Sequence, residues 1–279
     1  MSTLNIRDMH EANRLGWNEG AAAYVREVQQ DIEFLRAGGK NLCPPEFRYL
    51  RDLTQWCRRA IHLQCAGGKD TLSLWNHGAH EVVGVDISEV MLSCAQQKSD
   101  ALGAPAQWIR SDVLAVPHTL DGTADLVYTG RGALGWLHDL NGWAQVIFRL
   151  LVPGGRLYIF EGHPLTCLFD MDTPELRLVQ TTPDDPEWGA CYSYFGHKVG
   201  MSQGWPETYI GNAVPKAQQA MKYERLWTLG EVLNALVDAG LRLERLEEHP
   251  DRYWKEFPHM PEEMQDRFPH TFSLLMRKP

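Results

Sequence analysis

The sequence predicts an α/β fold in which helices connect the strands of a parallel sheet. Short apolar runs that end in polar residues recur between residues 61 and 161, and helical segments separate them. A turn that contains two glycines follows the first run, and an acidic residue ends the second. With 279 residues, of which 44% are hydrophobic, the chain is long enough to bury a substantial core around such a sheet.

The first strand and its turn pair with an acid at the end of the second strand. The small side chains of residues 65–68 let the backbone pass close to a ligand and leave free N–H groups at the start of the next helix. Asp86 follows Gly68 by 18 positions, and an acid about 20 residues after such a turn accepts hydrogen bonds from ribose hydroxyls. The glycines alone also fit a structural turn, but with Asp86 they favour nucleoside binding.

Three further strands complete the parallel part of the predicted sheet. Residues 107–113 form the third strand, which ends in the polar pair Ser111 and Asp112, and residues 124–130 form the fourth. A Pro-Gly-Gly turn at residues 153–155 leads into the fifth. Five strands with helices between them make a parallel sheet.

This succession of motifs resembles the class I S-adenosylmethionine-dependent methyltransferases, over residues 58–162 and again over 226–279. Residues 62–65, 127–129, 135–140 and 161–164 are similar to a subgroup of bacterial small-molecule methyltransferases. The resemblance implies a Rossmann-like sheet of seven strands, with five parallel strands and a C-terminal antiparallel hairpin. It also implies S-adenosyl-L-methionine as cofactor, S-adenosyl-L-homocysteine as product and a small-molecule acceptor as partner.

The same resemblance implies a role for each cofactor-binding position. The turn would cradle the methionine moiety, the second-strand acid would hold the ribose, the third-strand acid and the next amide would contact adenine, and the end of strand four would line the sulfonium side. The implied residues are Gln64, Cys65, Ala66, Gly67, Gly68, Asp86, Ile87, Ser111, Asp112, Val113, Thr129 and Gly130. The turn departs from the family pattern at His62 and Gln64, and Ala66 stands at the middle glycine, where a positive φ would strain it.

Around this core the sequence predicts three additions. Residues 1–56 hold helical pieces interrupted at Gly38, and they form a cap in front of the 57–162 cofactor-binding core. Residues 163–226 lose periodicity and form a loop-rich substrate-cap insertion. Residues 227–279 complete the sheet with a helix capped by Thr228 and Glu231, then strands at 241–247 and 271–276.

Candidate catalytic bases follow strand five or lie in the insertion. Methyl transfer needs chiefly alignment of the acceptor with the methyl carbon, with a base where the acceptor carries a proton. His163, Glu161 and Tyr194 are the candidates; a polar loop residue is the structural alternative for His163, and a helix cap is the alternative for Glu161. His138 is interpreted as a surface residue.

Aromatic residues predict a lid over the cofactor and indicate the chemical class of the acceptor. Trp17 and Tyr24 are seven positions apart and so share a helix face, which fits either a cover over the cofactor or ordinary packing. The insertion adds Tyr192 and His197, and its many rings favour an aromatic or heterocyclic acceptor.

Composition excludes several function classes. A net charge of -9 and the absence of any long basic run exclude nucleic acid as a partner. The six cysteines lack zinc-site spacing, so we expect free thiols and no metal. No apolar run reaches the ~18 residues of a membrane span, which predicts a cytoplasmic enzyme without membrane contact. Two alternatives stay open: a catalytically silent S-adenosylmethionine or S-adenosylhomocysteine-binding protein, and an NAD-dependent oxidoreductase.

Overall fold

The structure, a computed structural model, describes residues 5–187, 189–196, 198–211 and 214–279. A seven-stranded sheet dominates it, with the order β3-β2-β1-β4-β5-β9-β8. Strands β1 to β5 run parallel, and β9 is antiparallel to both β5 and β8. The predicted seven-stranded fold is therefore confirmed. The strands of this sheet are β1 (Arg59–Leu63), β2 (Glu81–Asp86), β3 (Ala106–Arg110), β4 (Ala124–Gly130), β5 (Leu151–Gly162), β8 (Arg242–His249) and β9 (Thr271–Arg277).

The central strands pack against an apolar core on each face of the sheet. Side chains alternate along each of these strands, so one strand contributes to both cores. In β5, Leu157 and Ile159 join the apolar core on one face, whereas Tyr158 and Phe160 join the core on the other. Trp143, on the helix that precedes β5, is fully buried in the first of these cores. This packing fixes the strand ends that carry the predicted site.

Helices begin where the sequence places their capping residues. Ser88 Oγ accepts from the amide of Met91 at 3.1 Å, and Thr228 and Glu231 form the predicted capping box. The helices are α1 (Ile6–Arg36), α2 (Pro44–Leu50), α3 (Lys69–Asn76), α4 (Glu89–Leu102), α5 (Leu140–Leu150), α6 (Glu207–Ile210), α7 (Leu229–Asp238) and α8 (Glu262–Gln265). None of the helices in the described ranges is long and apolar enough to cross a membrane.

The N-terminal segment differs from the prediction of separate helical pieces. Helix α1 is continuous over 31 residues and ends at Arg36, two residues before Gly38, whose φ is +79°. Gly16 and Gly20 lie inside α1 because other side chains approach its backbone closely there. A Cβ on Gly16 would meet Lys222 Cγ at 2.6 Å, and one on Gly20 would meet Trp205 Cε2 at 2.9 Å.

The insertion contains regular structure that the sequence does not indicate. Strands β6 (Val199–Gln203) and β7 (Met221–Arg225) form an antiparallel hairpin that is separate from the main sheet. Residues 221–224 of β7 do alternate apolar and charged side chains, but the buried residue is Lys222 and Met221 is exposed. The side of the strand that packs is thus the charged one, which is the reverse of the usual strand pattern. The hairpin lies against α1: Asn13 Nδ2 donates to Tyr223 O at 2.8 Å, and Tyr223 N donates to Asn13 Oδ1 at 2.7 Å.

Candidate functional site

A cavity of about 760 Å³ lies at the carboxyl ends of β1 to β5, within the size range of small-molecule pockets. Each strand contributes from its end, because parallel strands bring their carboxyl ends to one edge. Twelve of the predicted site residues line it: Trp17, Tyr24, Gln64, Ala66, Asp86, Ile87, Ser111, Asp112, Val113, Gly130, Glu161 and His163.

The turn after β1 adopts a left-handed backbone at three positions. Gln64, Ala66 and Gly68 have φ of 57°, 45° and 76°, so the strain expected for Ala66 at positive φ is present. The conformation directs the Ala66 amide to Asp86 Oδ2, at 2.8 Å. Gln64 Nε2 donates to Ala133 O at 2.8 Å, which links the turn to the loop after β4.

Two polar groups of this edge point to a ligand. Gln64 Oε1 is buried and finds no hydrogen-bond donor among the residues that the structure describes. Asp86 accepts from the amides of Ala66 and Ser88, both at 2.8 Å, yet burial raises the pKa of its carboxyl to about 6. Backbone donors offset the loss of water only in part, so Asp86 gains from additional hydroxyl donors.

The polar end of β3 is joined to α1 by a residue that the sequence analysis misses. His10 Nδ1 lies 2.8 Å from Asp112 Oδ2, and Leu114 N donates to Asp112 Oδ1 at 2.9 Å. These contacts lower the pKa of Asp112 against the opposing effect of burial, which is the largest single influence. His10 is 5% exposed, and its Nε2 has no partner within the described ranges.

One face of α1 lies along the carboxyl edge of the sheet, where the cofactor site is predicted; we call this the cofactor edge. His10, Trp17, Tyr24 and Asp31 follow one another at seven-residue intervals, and this spacing is the signal that would have found His10. A Cβ on Gly67 would meet Tyr24 Cδ1 at 2.9 Å, so the ring lies directly on the turn.

The far end of this face is fixed by a buried charge network. Lys98 is fully buried, and its Nζ lies 2.7 Å from Asp31 and donates to Gly67 O at 2.9 Å. Lys69 contacts the same carboxylate at 2.7 Å. These bonds tie α1, α4 and the turn together, because leaving such a buried charge unpaired is costly.

The remaining predicted residues lie off the cavity. Cys65, Gly67, Gly68 and Thr129 are buried behind its wall. Tyr192 is 52% exposed, and the Tyr194 hydroxyl accepts from Leu229 N at 3.2 Å, where it caps α7 instead of meeting an acceptor. His197 lies outside the described residues.

Glu161 and His163 line the cavity, but their polar atoms are engaged by the protein. The Glu161 carboxylate accepts from the amides of Gly132, Ala133 (2.8 Å) and Leu134 (3.0 Å), so it positions the loop after β4. His163 Nε2 contacts Glu248 Oε1 at 2.8 Å, and its Nδ1 accepts from Leu165 N at 3.2 Å. Both side chains therefore have protein partners at their polar atoms, and their predicted catalytic roles stay predictions.

Two other histidines are neutral structural residues. His62 Nδ1 lies 2.8 Å from Thr71 Oγ1, and burial lowers the pKa of its imidazole to about 4. His138 is 7% exposed, with its ring 5.5 Å from that of His10 and its pKa lowered by burial to about 4. The prediction of a surface residue at 138 is wrong, because α1 covers it.

Aromatic rings form the opposite half of the cavity. The ring of Trp17 lies 5.0 Å from that of Trp136 and 4.7 Å from that of Trp205, centroid to centroid. Trp205 belongs to the insertion, and its Nε1 donates to Gly16 O at 2.6 Å. The insertion and α1, predicted as one lid, are thus in direct contact. Further rings on this wall are Tyr209, Trp227, Tyr253, Trp254 and Phe272.

Comparison with known proteins agrees with this geometry. Residues 60–155 match the family model of a methyltransferase domain. Over 123 residues the chain is 36% identical to the demethylmenaquinone methyltransferase of Thermus thermophilus, an alignment that covers 39% of this chain and 55% of that enzyme. The chain spans about half the length of the curated relatives it matches.

Solved structures share the architecture. A proposed S-adenosylmethionine-dependent methyltransferase from Listeria monocytogenes superposes with a TM-score of 0.58 at 16% identity, covering 93% of this chain and 99% of that one. A S-adenosylmethionine-dependent methyltransferase from Mesorhizobium loti gives a TM-score of 0.52 at 24% identity, covering 84% and 97%. Residues 60–155 therefore match a methyltransferase domain, and the chain shares the fold of these S-adenosylmethionine-dependent methyltransferase structures.

Proposed function

We propose that the protein transfers the methyl group of S-adenosylmethionine to a small-molecule acceptor. The observation that carries this proposal is the convergence of Gln64, Asp86 and Asp112 on one cavity at the carboxyl edge of the sheet. A fold alone does not fix an activity, so it is these side chains and the similarity to methyltransferases that support the proposal.

The residues present fit this cofactor. The unpaired Gln64 Oε1 is an acceptor for the methionine ammonium group, and Asp86 is an acceptor for the ribose hydroxyls. Val113 opens a 3₁₀ turn, so its amide has no acceptor within that turn and is available to an adenine ring nitrogen. Asp112 is the acceptor assigned to the adenine amino group. When bound, the cofactor supplies an electrophilic methyl group on a sulfonium.

The protein's part in the reaction is to position the partners and exclude water. Glu161 fixes the 132–134 loop through backbone amides, and Gln64 ties the same loop to the cofactor turn. Helix α1 covers the cavity with Trp17 and Tyr24. Holding the reacting atoms in line in a dry site accounts for most of the rate that such a transfer needs.

The rings of the opposite wall support an aromatic or heterocyclic acceptor. Trp17, Trp136 and Trp205 offer flat apolar faces, which suit a planar ligand. The Thermus relative is named for a quinone, which is a flat ring of this kind. The atom of the acceptor that is methylated stays open between oxygen, nitrogen, carbon and sulfur.

Calorimetric titration with S-adenosylhomocysteine and with NADH, followed by a methyl-donor turnover screen over metabolite pools, tests the proposal. We expect micromolar binding of S-adenosylhomocysteine, no binding of NADH, and turnover of at least one pool. Binding without turnover would favour the silent binding protein. Binding of NADH in place of S-adenosylhomocysteine would favour an oxidoreductase.

A further inference from the structure

The carboxylates that line the cavity differ in one respect. Most have partners in the protein: Asp86 and Glu161 accept from backbone amides, and Asp112, Glu187 and Glu256 lie against His10, Lys216 and His270. Glu224 makes no hydrogen bond or ion pair within the described parts of the chain. It is therefore the lining carboxylate for which the described residues supply no hydrogen-bond or ion-pair partner.

The surroundings of Glu224 place its carboxylate inside the cavity and not on the outer surface. The side chain is accessible, yet its pKa is raised chiefly because the protein displaces water around it. A side chain can be accessible and still be shielded from bulk water when its accessible surface faces a cavity. Glu224 lines the cavity described above. In strand β7 it pairs with Gly200, whose lack of a side chain leaves room beside it.

The cationic groups of the cavity wall are already engaged elsewhere. Arg131 contacts Glu46, and Arg225 lies 3.8 Å from Glu231 with its guanidinium 3.6 Å from the centre of the Trp227 ring. Lys222, two positions from Glu224, lowers the pKa of Glu224 but makes no ion pair with it within the described residues; its Nζ lies 3.6 Å above the Trp205 ring. Lys222 thus offsets the charge of Glu224 only through space, and the position beside the carboxylate is open to a positively charged ligand group.

Aromatic rings surround the same space. The end of β7 lies against the 134–136 turn, since a Cβ on Gly135 would meet Arg225 O at 3.9 Å, and this turn carries Trp136. Trp227 follows β7 directly, and Tyr253 and Trp254 line the same cavity. Rings around a carboxylate make a setting that favours organic cations, because ring faces attract positive charge and the carboxylate pairs with it.

We propose that Glu224 and these rings form a subsite for a protonated amine, so that the acceptor substrate is a small molecule carrying a basic amino group. The amine is the group through which the protein binds the acceptor, and the atom that receives the methyl group is not assigned. This inference depends on the proposed methyltransferase function, whose acceptor it narrows. A neutral acceptor of the same shape would leave the Glu224 charge in the cavity without a partner, which costs affinity.

Matched ligand pairs test the subsite. Tryptamine and tryptophol, and phenethylamine and 2-phenylethanol, differ in an amine against a hydroxyl, and each is titrated calorimetrically into the full-length protein saturated with S-adenosylhomocysteine. In the wild type we expect at least one amine to bind tenfold or more tightly than its alcohol. Glu224→Gln should abolish that preference. Glu187→Gln, which changes a lining carboxylate that already has Lys216 as partner, should retain it.

The outcomes separate the two proposals. Equal affinity within both pairs, no binding of either amine, or an amine preference that survives in Glu224→Gln overturns the subsite. Saturation with S-adenosylhomocysteine is measured first in each variant, and unchanged affinity for it shows that the variant is folded. If the wild type does not bind S-adenosylhomocysteine, the proposed function itself fails, whatever the amines do.

Discussion

The two halves of the cavity are built in different ways. The cofactor half consists of strand ends and turns, where the backbone amides of Ala66 and Ser88 each donate to the Asp86 carboxylate at 2.8 Å. The acceptor half consists of side chains from segments far apart in the sequence, such as Trp17 and Trp205, whose rings lie 4.7 Å apart. Backbone geometry fixes the first half, and side-chain packing fixes the second.

This difference explains which half can change between relatives. A strand end must keep its turn and its acid to bind the same nucleoside, whereas rings on a separate hairpin can be replaced without disturbing the sheet. The match to known methyltransferase domains covers residues 60–155, which contain the cofactor half and exclude the β6–β7 hairpin. We infer that the hairpin sets the choice of acceptor.

The largest expected effect is a loss of S-adenosylhomocysteine affinity when Asp86, in the cofactor half, is replaced. Asp86→Ala removes charge-assisted hydrogen bonds to the ribose and should weaken S-adenosylhomocysteine binding by about 1.5–3 kcal/mol, roughly 10- to 150-fold, as measured by calorimetry. Asp125→Ala is the control, because Asp125 also accepts two backbone amides, from Arg58 and Arg59 at 2.9 Å, but does not line the cavity. Equal affinity in both variants would contradict the ribose assignment.

The same carboxyl should make cofactor binding dependent on pH. Because the pKa of Asp86 is about 6 in the free protein and ribose hydroxyls favour the ionised form, binding below pH 6 must release a proton. Affinity for S-adenosylhomocysteine should fall by up to about tenfold per pH unit below pH 6. The raised pKa acts oppositely on folding, since protonation of Asp86 stabilises the free protein as pH falls from 6 toward 4. A titration series that shows the same slope in Asp86→Ala would remove this explanation.

The contact between helix and hairpin can be broken at a glycine. Gly20→Ala places a methyl group about 3 Å from the Trp205 ring, and such overpacking costs about 1–3 kcal/mol in unfolding free energy, less the gain in helix propensity. Gly230→Ala is the matched control in α7, where a Cβ meets nothing within 4 Å and stability should stay equal or rise by up to about 1 kcal/mol. Urea unfolding measures both. Identical behaviour of the two variants would show that α1 and the hairpin do not pack closely.

His10 tests whether α1 contributes to cofactor binding through Asp112. His10→Ala removes the 2.8 Å contact that orients Asp112, and we expect S-adenosylhomocysteine affinity to fall about fivefold, in line with the loss of one hydrogen bond of ~1 kcal/mol. His118→Ala breaks a His–Asp contact of the same length at the surface, to Asp121, and should leave affinity unchanged. Equal S-adenosylhomocysteine affinity in the two variants would show that His10 only packs and does not contribute to cofactor binding.

The sequence predicts the cofactor half far better than the acceptor half, for physical reasons. Strand periodicity, glycine turns and the 18-residue spacing to Asp86 are local patterns, and the sheet, its C-terminal hairpin and the Thr228 cap follow from them. Contacts between distant segments leave no such pattern. His138 is buried against His10 of α1, and Tyr194 caps α7 from 35 positions away.

Some of the missed features had a local signal. The seven-residue interval that joins Trp17 and Tyr24 extends to His10 and Asp31, and it marks one helix face over the cofactor turn. The β6–β7 hairpin had only a short signal, since Met221 and Tyr223 of β7 alternate with charged residues while the buried side chain is Lys222. Burial of Lys222 depends on Gly16 of α1, which lies some 200 residues earlier in the chain.

Backbone hydrogen exchange with and without S-adenosylhomocysteine tests the two-half account most directly. We expect the cofactor to slow exchange at residues 64–68, 86–88 and 111–113 and along residues 10–24 of α1, which lie at the cofactor edge. The β6–β7 strands should slow less, because they contact that edge only through α1 and the acceptor space. Exchange that is unchanged at the strand ends, or that slows chiefly in the hairpin, would contradict the assignment of the two halves.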